Sequence, residues 1–225
     1  MPVNAQYSIV RPGSIASEIS ALQRRKMFAA FLRSFTIADT DTILDVGATS
    51  DRSYDHSNYV EAWYERKSAL TAVGIDDAGF LVAEYPGLVF VRADGRRLPF
   101  KDGSFDFVHS SAVIEHVGSF ESQCAFLKEL WRVARKGIFV TTPNRWYPVE
   151  FHTVLPLLHW LPKRIYRRIL VGLGHGFFAT EENLNLMSRG TLSKAASSAG
   201  AGRFSIKSVA LVGLPTNLLL VAHKC

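Results

Sequence analysis

The spacing of apolar positions changes character along this chain. Residues 15–35 carry Ile15, Ile19, Leu22, Phe28, Phe31, Leu32 and Phe35 mostly at steps of three and four, the repeat of an amphipathic helix. From residue 42 onward, short apolar runs replace that repeat, at 42–46, 70–75, 88–91, 105–109 and 137–142. Runs without polar alternation suit strands buried on both faces, as in a parallel sheet. Helical periodicity returns between them, most clearly over 120–135, where Phe120, Cys124, Leu127, Trp131 and Ala134 advance by threes and fours. Arg132, Arg135 and Lys136 suit the negative end of that helix's dipole, and Gly137 suits a left-handed cap. Shorter helices are predicted over 60–67 and 190–198. Two strand-like runs, 204–212 and 216–222, then follow, joined through Gly213-Leu214-Pro215 closely enough for an antiparallel hairpin.

Strands alternating with helices imply a parallel sheet with right-handed crossovers. The expected fold is therefore α/β: a Rossmann-like, doubly wound, seven-stranded sheet, mostly parallel with a C-terminal antiparallel hairpin, and helices on both faces. A chain of 225 residues suits one core rather than two. Within a single domain, the pattern separates an N-terminal helical segment (1–36), a ligand-binding half (37–143), an insertion (144–187), and a final helix and hairpin (188–225).

Composition narrows the setting. The two cysteines, Cys124 and Cys225, are far apart, which argues against a disulfide scaffold and for a reducing cytoplasm. Met1–Arg11 holds no apolar run resembling a signal peptide, and no stretch approaches the ~20 apolar residues that span a bilayer. The formal charge of +6 would favour phosphate, nucleic acid or an anionic membrane, or reflect only a surface rich in lysine and arginine.

Open parallel sheets bind ligands at the carboxyl ends of their strands. The first strand ends in Ile43-Leu44-Asp45-Val46-Gly47-Ala48-Thr49-Ser50-Asp51, where Gly47 permits a tight turn and close approach of a ligand. The second ends in Asp76-Asp77, a place where a carboxylate can accept two ribose hydroxyls. The third ends in Ala93-Asp94-Gly95, where an acid suits the exocyclic amine of adenine. The fourth runs Phe105–Ser111, entered through Pro99–Ser104. Each acid alone reads as a turn or cap residue; the ordered set is harder to obtain by accident.

Taken together, Ile43–Gly47, Val73–Asp76, Ala93–Gly95, Leu98-Pro99-Phe100, Ser104-Phe105-Asp106 and Glu115-His116-Val117 resemble the class I methyltransferases that use S-adenosylmethionine (SAM), most of all the ubiquinone and menaquinone group. The resemblance covers roughly residues 40–143. It implies SAM as cofactor, with Asp76 on the ribose, Asp94 and Gly95 near the adenine, and Gly47 beneath the methionine; Asp45, Asp51, Asp77 and Ser111 complete the expected cofactor set. Two departures stand out. Thr49 and Asp51 occupy positions that are usually glycine in that family, so Asp51 either meets the methionine end or marks a disabled pocket. About 30 residues also separate Asp45 from Asp76, against the ~20 usual between loop and acid, so an extra loop over 51–59 is expected.

His116, beside Glu115, is a candidate general base. Some ubiquinone-type relatives place a second carboxylate three residues before the Glu to hold a metal; Ala112 stands there, and no metal is expected. The run Thr141-Thr142-Pro143-Asn144-Arg145-Trp146-Tyr147-Pro148-Val149-Glu150-Phe151-His152 leaves the fifth strand and opens the insertion, read as a lid over the acceptor site. Glu150 and His152 are alternative bases; all three residues are equally at home as caps or buried hydrogen-bonding groups. Within 154–173, Lys163, Arg164, Arg167 and Arg168 fall on adjacent helical positions. A lid with a solvated basic face is preferred there over an interfacial helix touching anionic lipid.

The function expected is methyl transfer to a small acceptor, lipid-like or glycan-derived, with peripheral membrane contact through 154–173 as a further partner. Oligomeric state is not legible. A nicotinamide-dependent oxidoreductase wants G-x-G-x-x-G, which Gly47–Arg52 does not match. A nucleic-acid methyltransferase would suit the charge, but Ser110-Ser111-Ala112-Val113 does not resemble the Asp/Asn-Pro-Pro-aromatic run of base-amino enzymes. A catalytically inactive SAM-fold module acting through 144–178 is the rival from another class.

Overall fold

Seven strands form one sheet, of order β3-β2-β1-β4-β5-β7-β6, in the computed structural model, which describes residues 13–54 and 56–224. The strands are β1 (Ile43–Val46), β2 (Leu70–Gly74), β3 (Val89–Arg92), β4 (Phe105–Ser111), β5 (Ala134–Pro143), β6 (Arg203–Leu211) and β7 (Leu214–His223). The first five pair in parallel, and β7 lies antiparallel between β5 and β6. The helices are α1 (Ile15–Ser34), α2 (Tyr59–Trp63), α3 (Phe80–Glu84), α4 (Phe120–Val133), α5 (Lys163–Gly172) and α6 (Arg189–Ser198). This is the predicted doubly wound arrangement. The expectations for Met1–Arg11 and Cys225 lie outside the described residues. Among those residues, Cys124 is a free thiol and no helix is long and apolar enough to cross a membrane.

Successive apolar residues of each central strand serve opposite faces, because side chains alternate across a sheet. Leu44, Val108, Ile138, Val140 and Leu218 join Phe126, Leu127 and Leu130 of α4 and Leu192 of α6 in one core. Ile43, Phe107, Phe139, Leu219 and Val221 join Met27, Phe31 and Phe35 in the other. The helix at 15–34 therefore exists as predicted, and Phe28, Phe31 and Phe35 pack into the core as its stripe requires, but the rest of that stripe differs. Ser17, Gln23, Met27 and Phe31 are buried, whereas Ile15, Leu22 and Leu32 face outward. Polar Ser17 and Gln23 line a cavity, and Gln23 accepts from the Thr216 hydroxyl near the start of β7, so hydrophobicity alone misplaces the face.

The end of α4 also differs from expectation. The helix stops at Val133, and Ala134 already begins β5. Gly137 is not a helix cap; it pairs with Phe107 on one side and His223 on the other. A Cβ there would lie 2.6 Å from Cε1 of Phe35 and 2.7 Å from the carbonyl of Ala222, so close interlocking of α1 with β7 demands glycine. Arg135 and Lys136 do not serve the helix dipole. Arg135 donates to both oxygens of Asp106 at 2.7 Å, and Lys136 binds Asp41. Both carboxylates are buried. Burial would raise the Asp106 carboxyl, but hydrogen bonds from Arg135, Thr42 and Lys136 hold it well below the usual range. The closing hairpin turns through Val212 and Gly213, both with positive φ, and Pro215 lies inside β7 rather than in the turn.

Residues 144–187 leave β5 and return beside it. The two ends meet in a bridge between Asn144 and Met187, and the Arg145 amide donates to the Met187 carbonyl at 3.0 Å. Tyr166, Leu170, Phe178 and Leu184 give the insertion its own small core. Asn185 fastens it to the sheet end, donating its amide to the Glu115 carbonyl (2.7 Å) and its side chain to that of Gly118 (2.8 Å).

Gly137→Ala is expected to destabilise the fold by about 1–3 kcal/mol through overpacking against Phe35. Urea unfolding measures this, and an unchanged midpoint would refute the assigned contact.

Candidate active site

The strand order reverses between β1 and β4, and a cavity of about 1380 Å³ opens there at the carboxyl ends. That exceeds the ~300–1,000 Å³ usual for one ligand, which leaves room for two molecules side by side. Gly47 sits at the floor with φ of 125°, a conformation that L side chains rarely adopt, and a Cβ would lie 2.1 Å from Val113. The loop that follows needs no further glycine. Asn58 closes it, accepting from the Thr49 amide (2.8 Å) and donating to the Thr49 carbonyl (2.9 Å). Asp51 caps the next turn by accepting from the Ser53 amide at 2.8 Å.

Of the residues singled out in the sequence, Gly47, Asp51, Asp76, Asp94, Gly95, Ser111, His116, Glu150 and His152 line the cavity. Asp76 follows β2 and makes no hydrogen bond or ion pair among the described residues, so its carboxylate is open to a ligand. Asp94 is instead engaged by Arg96, whose guanidinium lies 2.6 Å away. Ser111 shares a hydrogen bond of 2.8 Å with Thr141. Asp77 and Asp45 do not line the cavity. Asp77 turns aside to accept from the Gly79 amide at 2.9 Å. Asp45 lies beneath the floor, bound to Nδ1 of His109, whose Nε2 shares a hydrogen bond of 3.0 Å with the Tyr59 hydroxyl.

That buried network contains a further acid, Glu61, whose two oxygens are buried and whose carboxyl shares a hydrogen bond with that of Asp45. Burial and the charge of Asp45 push the Glu61 carboxyl well up, and burial raises Asp45 to about 7. Burial lowers His109 to about 4, so the imidazole is neutral. Tyr59, Glu61 and His109 carried no signal in the sequence, since each sits in an apolar run that reads as core.

Across the cavity, the three candidate bases come together. His152 donates Nδ1–H to Glu150 at 2.6 Å, and His116 donates Nδ1–H to the Asn183 carbonyl at 2.6 Å. Their Nε2 atoms face each other at 3.0 Å. Two bare lone pairs would repel at that distance, so a proton belongs between them. Burial and the charge of His152 lower His116 to about 3. Burial would lower His152 too, but the charge and hydrogen bond of Glu150 outweigh it and raise the imidazole. Glu150 is held at about 2 despite its burial, by the charge of His152 and by hydrogen bonds from His152 and Thr153. His152 is thus the imidazolium and donates to His116. Glu115, His116 and His152 also place ligand atoms within 4.8 Å of one another, a spacing that a divalent cation can use. No metal is expected from the sequence, because Ala112 lacks a ligand atom; His152 joins Glu115 and His116 only in the fold, from the distant insertion.

Helix α1 roofs the cavity with Ser17, Ser20, Gln23 and Arg24. Arg24 makes no ion pair among the described residues, and burial pushes its guanidinium below the usual range. The sequence reading assigned none of these roof residues.

Residues 45–141 match the family model described as a methyltransferase domain. Over that stretch, which runs from β1 into β5 and includes Gly47, Asp76 and Asp94, the chain resembles SAM-dependent methyltransferases. No curated protein sequence matches the chain. Among solved structures, a SAM-dependent methyltransferase of Thermotoga maritima, described as a possible histamine N-methyltransferase, is 14% identical over 94% of this chain and 92% of its own, with a TM-score of 0.59. A SAM-dependent methyltransferase of Mesorhizobium loti is 16% identical over 94% and 99%, with a TM-score of 0.58. PigF, solved with S-adenosylhomocysteine (SAH), is 18% identical over 92% of this chain and 58% of its own, with a TM-score of 0.57. At such identities the structural likeness speaks for the fold. In this chain Thr49 and Asp51 are accommodated by local turns and by Asn58, so the cavity stays open at the positions where glycine is usual.

Asp45 and Glu61 hold protons in the fold that they release in the unfolded chain between about pH 4 and 7, so stability falls as pH rises through that window. Glu61→Gln should therefore be more stable than wild type at pH 8, by about 1–3 kcal/mol, with little gain at pH 4. Urea titrations at both pH values test this; parallel curves would remove the protonated pair.

Proposed function

We propose that this methyltransferase transfers the SAM methyl group to a small acceptor of apolar character, held under the 144–187 insertion. The observation that carries the reading is the open carboxylate of Asp76 at the cavity wall after β2, facing space enough for donor and acceptor. Bound SAM supplies a methyl group already activated on a sulfonium, so the protein chiefly orients the partners and excludes water.

On this reading Asp76 accepts the two ribose hydroxyls, and Gly95 and Asp94 border the adenine. Gly47 lies beneath the methionine, and Asp51 meets its ammonium end. Arg24, a buried cation in the roof with no ion pair among the described residues, takes the carboxylate of the methionine moiety. Asp45 and Asp77 act indirectly: Asp45 supports the floor through His109, and Asp77 holds the turn that presents Asp76. PigF, a structural neighbour, was solved with SAH, the product of such a transfer, which fits the same use of this cavity.

Tyr147, Val149, Phe151 and Val154 give the insertion side of the cavity an aromatic and aliphatic wall, suited to a lipid-like or glycan-linked acceptor. Once the imidazolium has released its Nε2 proton to solvent, His152, with Glu150 behind it, is placed to take the acceptor's proton at that nitrogen, directly or through His116. On transfer, the acceptor's bond to hydrogen breaks and its proton goes to the vacated Nε2 of His152, while the electron pair of the broken S–CH₃ bond would stay on sulfur. Glu150 stabilises the imidazolium that results, as the raised basicity of His152 indicates.

Calorimetric titration with SAM and SAH tests the cofactor site. Asp76→Ala should weaken both by about 2–3 kcal/mol, the loss expected for hydrogen bonds to a charged group. Unchanged affinity in a folded variant would displace the cofactor from this wall. The acid–base reading has its own test by NMR titration of the histidine rings. Glu150→Gln should lower the His152 pKa by at least about one unit, because it removes the opposing charge. The pH at which transfer begins to rise should fall with it, while SAM affinity holds. An unmoved His152 titration would sink the relay.

A further inference from the structure

The outer face of the insertion is apolar and cationic at once. Trp146, Leu157, Trp160, Leu161, Ile165 and Val171 are each between 37 and 62% exposed. They are neighbours: the rings of Trp146 and Trp160 meet edge to face at 6.3 Å, and Arg145 lies over Trp146 while donating to the Leu161 carbonyl at 3.4 Å. Helix α5 carries the surface onward. Tyr166 and Leu170 fill the small core of the insertion, which turns Arg164, Ile165, Arg168 and Val171 outward together. Backbone strain holds part of the surface in place. Leu157 and Val154 adopt φ of 61° and 57°, a region disfavoured for bulky and β-branched residues, with their side chains exposed.

The charge of this face has one sign. Residues 145–180 hold five arginines and lysines and a single acid, Glu150, which is buried against His152. Lys163 and Arg167 share Glu181 at 3.4 and 3.7 Å. Arg164 and Arg168 have no partner among the described residues. Tryptophans beside aliphatic side chains, rimmed by unpaired arginines, match a surface whose outer layer is anionic and whose next layer is hydrocarbon. A solvated helix face would not require the exposed aliphatic residues, and the excess of cations over acids around them suits an anionic layer.

We propose that this face, Trp146–Val171, docks the methyltransferase on an anionic lipid bilayer. The docked orientation has a consequence for the acceptor. The segment 146–157 presents Tyr147, Phe151 and Val154 to the cavity and Trp146 and Leu157 outward, so the same short segment borders both the acceptor space and the bilayer side. Docking would therefore bring a lipid-anchored acceptor next to the acceptor space. This consequence rests on the function proposed above; the docking itself does not.

The test uses the full chain with unilamellar vesicles of phosphatidylcholine alone or mixed with phosphatidylglycerol. Flotation reports binding, and quenching of tryptophan emission by brominated lipid reports insertion. Wild type should bind the mixed vesicles, more weakly as salt rises, and show quenching. Arg164→Glu with Arg168→Glu should lose at least about tenfold in partition, since each cation near an anionic surface is worth about fivefold. Trp160→Ser with Ile165→Ser should lose binding and quenching. Absence of wild-type binding, or binding that the arginine variant retains undiminished, would overturn the proposal. So would self-association in sedimentation that Trp160→Ser with Ile165→Ser abolishes while vesicles are ignored, because the occupant would then be a second copy. SAM titration of the same variants keeps the two readings apart: docking can fail with SAM affinity intact, and the cofactor reading can fail with docking intact.

Discussion

The pairing of β1 with β4 is the constraint on which the remaining structure depends. These strands are far apart in sequence, and parallel pairing brings them side by side where the winding of the sheet reverses. Three side-chain links join them along their length. Thr42 donates its amide and hydroxyl to Asp106 at the start, His109 holds Asp45 in the middle, and Ser110 donates to the Val46 carbonyl at the end (2.7 Å). Crossovers depart to opposite faces from this seam, so neither covers the strand ends and a crevice remains. Gly47 turns out of the seam in a left-handed conformation, which is what lets a ligand reach its backbone.

Polar groups are buried on both sides of this seam, and the two sides are handled differently. At the amino ends, Asp106 and Asp41 are paired with Arg135 and Lys136, whose long side chains reach in from the surface. At the carboxyl ends, Asp45 and Glu61 have no cation, and protonation takes its place. A buried acid that stays neutral supports the cavity floor without placing a second full charge beneath a cationic ligand. The other wall is handled by charge pairing instead, with Glu150 and His152 facing each other as an ion pair inside the insertion and the His152 imidazolium donating to neutral His116.

The insertion is a small unit with its own core and two-ended attachment, and this explains how it can serve two surfaces. Its inner side supplies His152, Glu150 and an aromatic wall; its outer side is free to carry tryptophans and arginines. Asn185, bonded to Glu115 and Gly118 and to Gln123 through its carbonyl, fixes the register between the two. A shift of this anchor would move His116, held by the neighbouring Asn183, together with the wall.

Much of the fold was legible because buried parallel strands and amphipathic helices leave periodic signals in short windows. The order of β1 to β5, the hairpin, α4 and the acid after β2 all followed from such windows. The misreadings have a common cause. Gly137 looks like a helix cap until Phe35 and Ala222, distant in sequence, are seen to occupy the space its Cβ would need. Leu22 and Leu32 look like core until Gln23 finds Thr216 and α1 rotates accordingly. Asp45 reads as a ligand residue, and its partners His109 and Glu61 do not read at all, because burial rather than identity decides their protonation. The sequence by itself determined the kind of sheet and which strand ends carry acids, since these depend on local pattern. Only tertiary structure decided that His116 and His152 meet, that Arg24 enters the cavity roof and that α5 turns its arginines outward, since each depends on contacts between segments that no local window spans.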